Sequence, residues 1–181
     1  MNEKSDDLGN IEILKASIHE VELLHKIGKQ TFYETFAGGN TVENMSEYLQ
    51  DTFSLEKLTN ELNNPNSEFY IAVFEDQTIG YLKVNFQEAQ TELKDPNSLE
   101  IERIYVLKEF HGQKVGQLLY QKAIQIARFK RLKYVWLGVW DQNPRAISFY
   151  KKNGFIEFDK HVFRLGNENQ TDLMMRLEIV A

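Results

Sequence analysis

The run LEIERIYVLKEFHGQKVG, residues 99–116, constrains the fold more than any other stretch of this chain. Leu99, Ile101, Ile104 and Val106 give it strand character, with Glu100, Glu102 and Arg103 set among them. Gly112 and Gly116 then bracket a short polar loop, and LLYQKAIQIA continues as a helix. A helix that starts directly after a strand leaves its first backbone N–H groups unpaired and aimed at one spot. Such a spot attracts phosphate, through hydrogen bonds and the positive end of the helix dipole. The loop is neither a Walker loop, since the GK[ST] ending is missing, nor a GxGxxG turn. Spacing alone leaves two readings open: a phosphate cradle, or a plain turn that needs one glycine at positive φ.

The flanking sequence sets the fold class. Residues 11–15 read as a short strand. Ser17 and Glu20 form a capping box, and Val21, Leu23, Leu24, Ile27, Phe32 and Phe36 make a helical stripe that AGGN (37–40) stops. Thr41 caps a second helix bearing Val42, Met45, Tyr48 and Leu49. Ser54 caps a short third helix with Leu55, Leu58 and Leu62, which NNPN (63–66) ends. The period then changes: FYIAVF (69–74) and TIGYLKVNF (78–86) flank EDQ as an antiparallel hairpin, and 87–98 is a polar connection. YVWLGVW (134–140) reads as a strand buried on both faces. Asn143-Pro144 opens a helix that Asn153-Gly154 closes. Strands at about 155–165 and 171–179, joined by GNENQ, follow. The expectation is a flexible tail over 1–9 and one α/β domain over 10–181, a mixed sheet with helices on both faces.

Composition excludes several function classes. The chain of 181 residues has no cysteine, which removes disulfides, thiolate metal sites and a thiol nucleophile together and suits a reducing cytoplasm. Its opening, MNEKSDDLGN, is acidic and polar, the opposite of a secretory leader. No apolar run approaches the ~18–20 residues of a membrane span. A net charge of −6 disfavours general nucleic-acid binding and mildly suits a cationic substrate. The expected protein is therefore cytoplasmic, without metal, nucleic-acid or membrane partners; its oligomeric state is left open between monomer and homodimer.

A second block, DQNPRAISFYKKNGF (141–155), also supports two readings. In one, Asn143 caps, Ala146, Phe149 and Tyr150 pack, and Lys151 and Lys152 sit at the negative helix end. In the other, the Tyr150 hydroxyl enters the space between this helix and the strand at 99–106; a buried tyrosine hydroxyl usually finds a partner.

Together the two blocks resemble the GNAT superfamily of acetyl-coenzyme A-dependent N-acetyltransferases. Asn143, Ala146, Phe149, Tyr150, Lys152, Gly154 and Phe155 match its N-x-x-A-x-x-F-Y-x-K-x-G-F pattern residue for residue. Its loop pattern, [Q/R]-x-x-G-x-[G/A], is met less closely: His111 stands at the first position, Lys114 at the first glycine and Gly116 at the last. The segments TFYETF, ENMSEYL, LEIERIYV, WLGVW, FYKKNGF and ENQTDLMM look like those of PaiA-type spermidine/spermine acetyltransferases within this superfamily.

The resemblance implies a mostly antiparallel sheet of about seven strands and direct acetyl transfer from acetyl-CoA to a primary amine of a polyamine. A protein or antibiotic amine, or a non-catalytic acyl-CoA-binding module, are the alternatives. It implies that Ile104, Tyr105 and Val106 of the strand, His111, Gly112, Gln113, Lys114, Val115, Gly116 and Gln117 of the loop, and Asn143 and Lys152 hold the coenzyme. Tyr150 becomes the acid for the departing thiolate, and a backbone N–H near Val106 the donor to the oxyanion. Glu100 and Glu102, two apart on one strand face, are candidates for the base that an alkylammonium of pKa ~10.4 requires; pairing with Arg103 or a lysine is the competing reading. Tyr33, Glu34 and Trp140, with Glu43, Glu47 and Asp51 nearby, are the acceptor-side candidates, against solvated helix faces and a core tryptophan.

Overall fold

The computed structural model describes residues 10–165 and 167–180; the expected tail at 1–9 lies outside the described residues. Strand β1 (Glu12–Lys15) leads into helices α1 (Val21–Phe36), α2 (Val42–Thr52) and α3 (Leu55–Asn63). Strands β2 (Ser67–Phe74), β3 (Gln77–Phe86) and β4 (Ser98–Val106) form a meander. Helix α4 (Val115–Phe129) crosses to β5 (Tyr134–Trp140), and α5 (Pro144–Lys152) precedes β6 (Ile156–Leu165) and β7 (Glu168–Glu178). The seven strands form one sheet in the order β1-β2-β3-β4-β5-β7-β6. Every neighbouring pair is antiparallel except β4 and β5.

Period-two alternation builds a core on each face. Tyr70 and Ala72 point to one, with Leu82, Val84, Leu99 and the α4 residues Leu119, Ala123 and Ala127. Phe69 and Ile71 point to the other, with Leu24, Ile27 and Phe32 of α1, Leu58 of α3 and Phe53. The helix starts form as their side chains dictate: Ser17 and Glu20 close a capping box, and Thr41, Ser54 and Asn143 each accept a first-turn N–H. Two hairpins are tighter than the sequence suggests. The β2–β3 turn is Glu75-Asp76 alone, both at positive φ (47° and 63°), with Gln77 already paired to Phe74. Glu168 pairs with Leu165, so most of GNENQ is strand rather than loop.

The pairing of β4 with β5 stops early. Their strands hold nine and seven residues, yet only Ser98–Tyr134, Leu99–Val135 and Glu100–Trp136 are in register. In the β3–β4 ladder Glu102 is skipped, Ile101 facing Val84 and Arg103 facing Lys83. This bulge bends β4 and increases its twist, and the two strands part beyond it. It also reverses the alternation: Leu99 and Ile101 face the α4 side, and so do Ile104 and Val106. The wedge between the strands is the site.

Candidate active site

Leu107 N–H bonds Ile79 on β3. By the alternation of an antiparallel ladder, the N–H groups of Ile104 and Val106 therefore point away from β3, into the wedge. Below them α4 begins at Lys114, which sits in the left-handed region at φ 65° with no side chain capping the helix. A lysine thus takes the conformation more usual for glycine, and the first-turn N–H groups stay free of side-chain partners. A cavity of about 710 Å³ opens here, lined by Val106, Gly112, Lys114–Gln117 and Arg145 among others. A Cβ built on Gly116 meets only Val106 Cγ2, at 4.0 Å. Neither φ nor packing demands glycine there, so open space over the helix start is what its missing side chain provides. Uncapped donors, a lysine, an arginine and that space fit a pyrophosphate.

His111 braces this mouth. Its Nε2 lies 2.8 Å from the Val106 carbonyl oxygen and its Nδ1 faces Arg145. Burial, with Arg145 beside it, lowers its pKa, so the ring is neutral, donating from Nε2 and accepting at Nδ1.

On the other side of the wedge lies a cavity of about 330 Å³. Phe32, Phe36, Tyr48, Phe53, Tyr105 and Trp140 supply aromatic walls, and Glu92, Glu100, Glu102 and Asp172 supply carboxyl groups. The two cavities share Thr35, Ile104, Tyr105, Trp140, Asn143, Ala146 and Tyr150. Tyr150 is 6% exposed, and its hydroxyl has no partner among the described residues. Burial raises its pKa, so it holds its proton at neutral pH. The Asn143 Oδ1 accepts the Ala146 N–H at 3.1 Å, leaving its amide nitrogen for the shared throat.

The two glutamates differ. Glu102 is locked in a buried lattice, with Lys83 at 2.5 Å and Arg103 at 3.2 Å, both of which also reach Glu61. Burial pushes its carboxyl up, but Arg103 and Lys83 outweigh that and hold it down at about 2. Glu100, 3% exposed, is raised by burial; it accepts from the Thr91 N–H, the Thr91 hydroxyl and Asn85. Both line the smaller cavity with their oxygens already engaged.

Several expected residues sit elsewhere. Tyr33 is 52% exposed and lines neither cavity, because Phe32 and Thr35 occupy the inward face of α1. Glu34 lines the larger cavity instead, where it accepts the Lys108 N–H at 2.8 Å. Gln113 turns back to the Glu109 carbonyl, and Lys152 is exposed at the end of α5; neither lines a cavity. Glu43, Glu47 and Asp51 are exposed and line neither. Sequence reading missed Asp172, His161 and Glu92. The one available signal for Asp172 was a charge next to the apolar run LMM, in a strand that pairs with YVWLGVW.

Residues 30–155 match the profile of the Acetyltransferase (GNAT) family. The chain belongs to this family. It is an acetyl-CoA-dependent N-acetyltransferase by that membership. An uncharacterised N-acetyltransferase in the pepI 3′ region of Lactobacillus delbrueckii subsp. lactis is 36% identical over 170 residues, 94% of this chain and 98% of that protein. A spermidine N(1)-acetyltransferase of Thermoplasma acidophilum is 31% identical over 150 residues, 81% of this chain and 88% of that one. The crystal structure of a PaiA N-acetyltransferase from Thermoplasma acidophilum in complex with coenzyme A superposes with a TM-score of 0.78 at 28% identity, over 93% of this chain and 99% of that one. Among the described residues, no group of three metal-binding side chains occurs and no helix is long and apolar enough to cross a membrane.

Proposed function

We propose that this acetyltransferase acts on a small polyamine of the spermidine class, with acetyl passing directly to a primary amine. The observation that carries the reading is the continuous passage across the split sheet. An open-mouthed, donor-rich limb meets a narrower aromatic and acidic limb at Tyr150, Asn143 and Tyr105. Aromatic faces and carboxylates are the surfaces that recognise alkylammonium groups. The similarity to a spermidine acetyltransferase over most of the chain supports the same substrate class.

Each group has a role in this reading. The α4 first turn, with Lys114 and Arg145, holds the pyrophosphate. The Val106 N–H donates to the thioester oxygen as it gains charge. Tyr150, protonated and facing the throat, donates to the departing sulfur. Burial keeps the proton on Tyr150 at rest; its transfer to a thiolate whose acid has a pKa of ~8.5 is uphill for a phenol of pKa ~10 or above, and is offset by the proton that the acylated nitrogen releases as the amide forms.

The test is thiol release from acetyl-CoA with a panel of spermidine, spermine, putrescine, a lysine peptide and an aminoglycoside. Spermidine or spermine should give the highest kcat/KM. Turnover confined to the peptide or the aminoglycoside overturns the substrate, and coenzyme binding without turnover on any amine overturns the reaction.

A further inference from the structure

Building on the polyamine reading, we propose that Asp172 on β7 is the catalytic base that takes the proton from the incoming ammonium. His161 and Glu92 then carry that proton away from the cavity.

The backbone puts Asp172 in place. Trp140 and Asp172 are paired in the β5–β7 ladder, so the carboxylate stands beside the throat shared by the two limbs. Gly138, two residues earlier on β5, makes the room: a Cβ there would lie 3.2 Å from Asp172 Oδ2. Both Gly138 and Asp172 line the acceptor limb.

Asp172 is also the carboxylate with capacity to spare. Glu102 is saturated by Lys83, Arg103 and Asn85, and Glu100 by Thr91 and Asn85. Asp172 has its nearest cationic partner among the described residues at 3.9 Å, His161 Nε2. The other groups facing it are Asp141 from the turn after β5, Tyr105 from β4 and Tyr48 from α2. None of these supplies a positive charge. Burial first, and the Asp141 charge second, raise its pKa to about 6. It is then ionised at neutral pH and still close enough to accept a proton readily.

A route outward continues from it. His161 Nδ1 meets Glu92, an acceptor when ionised, so Nδ1 carries the hydrogen and the Nε2 lone pair faces Asp172. Burial lowers the His161 pKa, consistent with a neutral ring ready to receive. Side-chain exposure is 17% at Asp172, 33% at His161 and 31% at Glu92, so the route leads from a buried carboxylate to two partly solvated groups.

The step balances as follows. The ammonium N–H bond breaks and its proton passes to an Asp172 oxygen. The freed nitrogen lone pair forms the C–N bond at the thioester carbonyl. The C–S bond then breaks with its electron pair on sulfur, and Tyr150 protonates that sulfur; the acylated nitrogen, now cationic, loses its second proton to the Tyr150 oxygen, which leaves a neutral amide and restores the phenol. The neutralised Asp172 passes its proton to His161 Nε2 and is ionised again.

The experiment is the pH dependence of spermidine acetylation by the wild type, Asp172→Asn and Asp172→Glu, with coenzyme affinity measured by calorimetry. Asp172→Asn should keep its coenzyme Kd and lose about 10²-fold or more in kcat at pH 7. Its deficit should shrink as pH approaches the amine pKa of ~10. The wild-type acidic limb near pH 6 should disappear, and Asp172→Glu should restore part of it. A kcat within threefold of wild type, or a loss confined to KM and constant with pH, overturns the assignment. A variant that fails to bind coenzyme is replaced by Gly138→Ala, whose Cβ presses on the same carboxylate and should move the acidic limb; an unmoved limb again overturns the assignment. If the wild type acetylates no polyamine, the substrate reading falls and this base with it. If the wild type is active and the variants equal it, only the base falls.

Discussion

The two limbs of the wedge are built by opposite means. The coenzyme limb is mostly main chain: free N–H groups of β4, the uncapped start of α4 and a glycine whose missing side chain leaves the floor open. The acceptor limb is mostly side chain: aromatic rings and four carboxyl groups, of which Glu100, Glu102 and Asp172 are each tuned by their own neighbours. Main-chain donors are fixed by the fold and tolerate changes of residue. Side-chain chemistry has to be specified position by position. In the proposed reading, that contrast explains how His111 and Lys114 can stand where the family pattern has other residues: the donors of the proposed cradle are main chain. The backbone at Lys114 still takes the left-handed turn, which costs a non-glycine residue about 1–2 kcal/mol.

Four substitutions probe this contrast. The largest effect belongs to the throat, where the limbs meet. Tyr150→Phe should lower kcat about 10²–10⁴-fold and leave coenzyme affinity unchanged; an unchanged kcat removes Tyr150 as the acid. Next is Glu102→Gln, which leaves Lys83 and Arg103 short of a buried counter-charge. Unfolding in urea at pH 7 should show a loss of about 3–5 kcal/mol. Because the folded-state pKa of Glu102 is depressed to about 2, its contribution is present above the unfolded value of ~4.3 and fades as pH falls toward 2. The gap between wild type and Glu102→Gln should therefore narrow in acid; a gap constant with pH breaks the ion-pair account.

Third is Asp172→Asn, read by stability. The folded-state pKa of Asp172 is raised, so the native state binds more protons than the unfolded state between about pH 4 and 6, and stability falls as pH rises through that window. The substitution should stabilise the protein by about 3 kcal/mol at pH 7, with the gain vanishing below pH 4. A variant as stable as wild type at every pH places that carboxylate in solvent. The smallest effect is on the main-chain side. Gly116→Ala should leave the melting temperature within a few degrees and weaken coenzyme binding about tenfold, near 1.4 kcal/mol. Full affinity would show that the floor of α4 does not touch phosphate.

The same division governs what could be read from the sequence. Element order, both cores and the caps at Ser17, Thr41, Ser54 and Asn143 were legible because each rests on local periodicity or a short-range hydrogen bond. Most of the lining of the larger cavity was legible as a unit for the same reason, since it falls within 104–117 and 140–150; Glu34 and Thr35 join it from α1 only through tertiary packing. The bulge at Glu102 was not, since register depends on β3. Nor was the fate of Glu102 itself, because Glu61 and Lys83 reach it only through tertiary packing. Tyr33 was placed wrongly by a single helix step, about a hundred degrees of rotation away from Phe32. Asp172, His161 and Glu92 come together from β7, β6 and the loop before β4, and no spacing rule links them.

The early parting of β4 from β5 has a consequence for how such a protein can change over time. His161 and Asp172 lie beyond residue 155, where the family match ends, while the coenzyme limb lies wholly before it. Mutations in the terminal hairpin alter one wall of the acceptor limb without touching the cradle on the far side of the gap. Drift in substrate preference can therefore proceed along one lineage after another while the acyl donor stays the same, each descendant inheriting a working handle and reshaping only the grip.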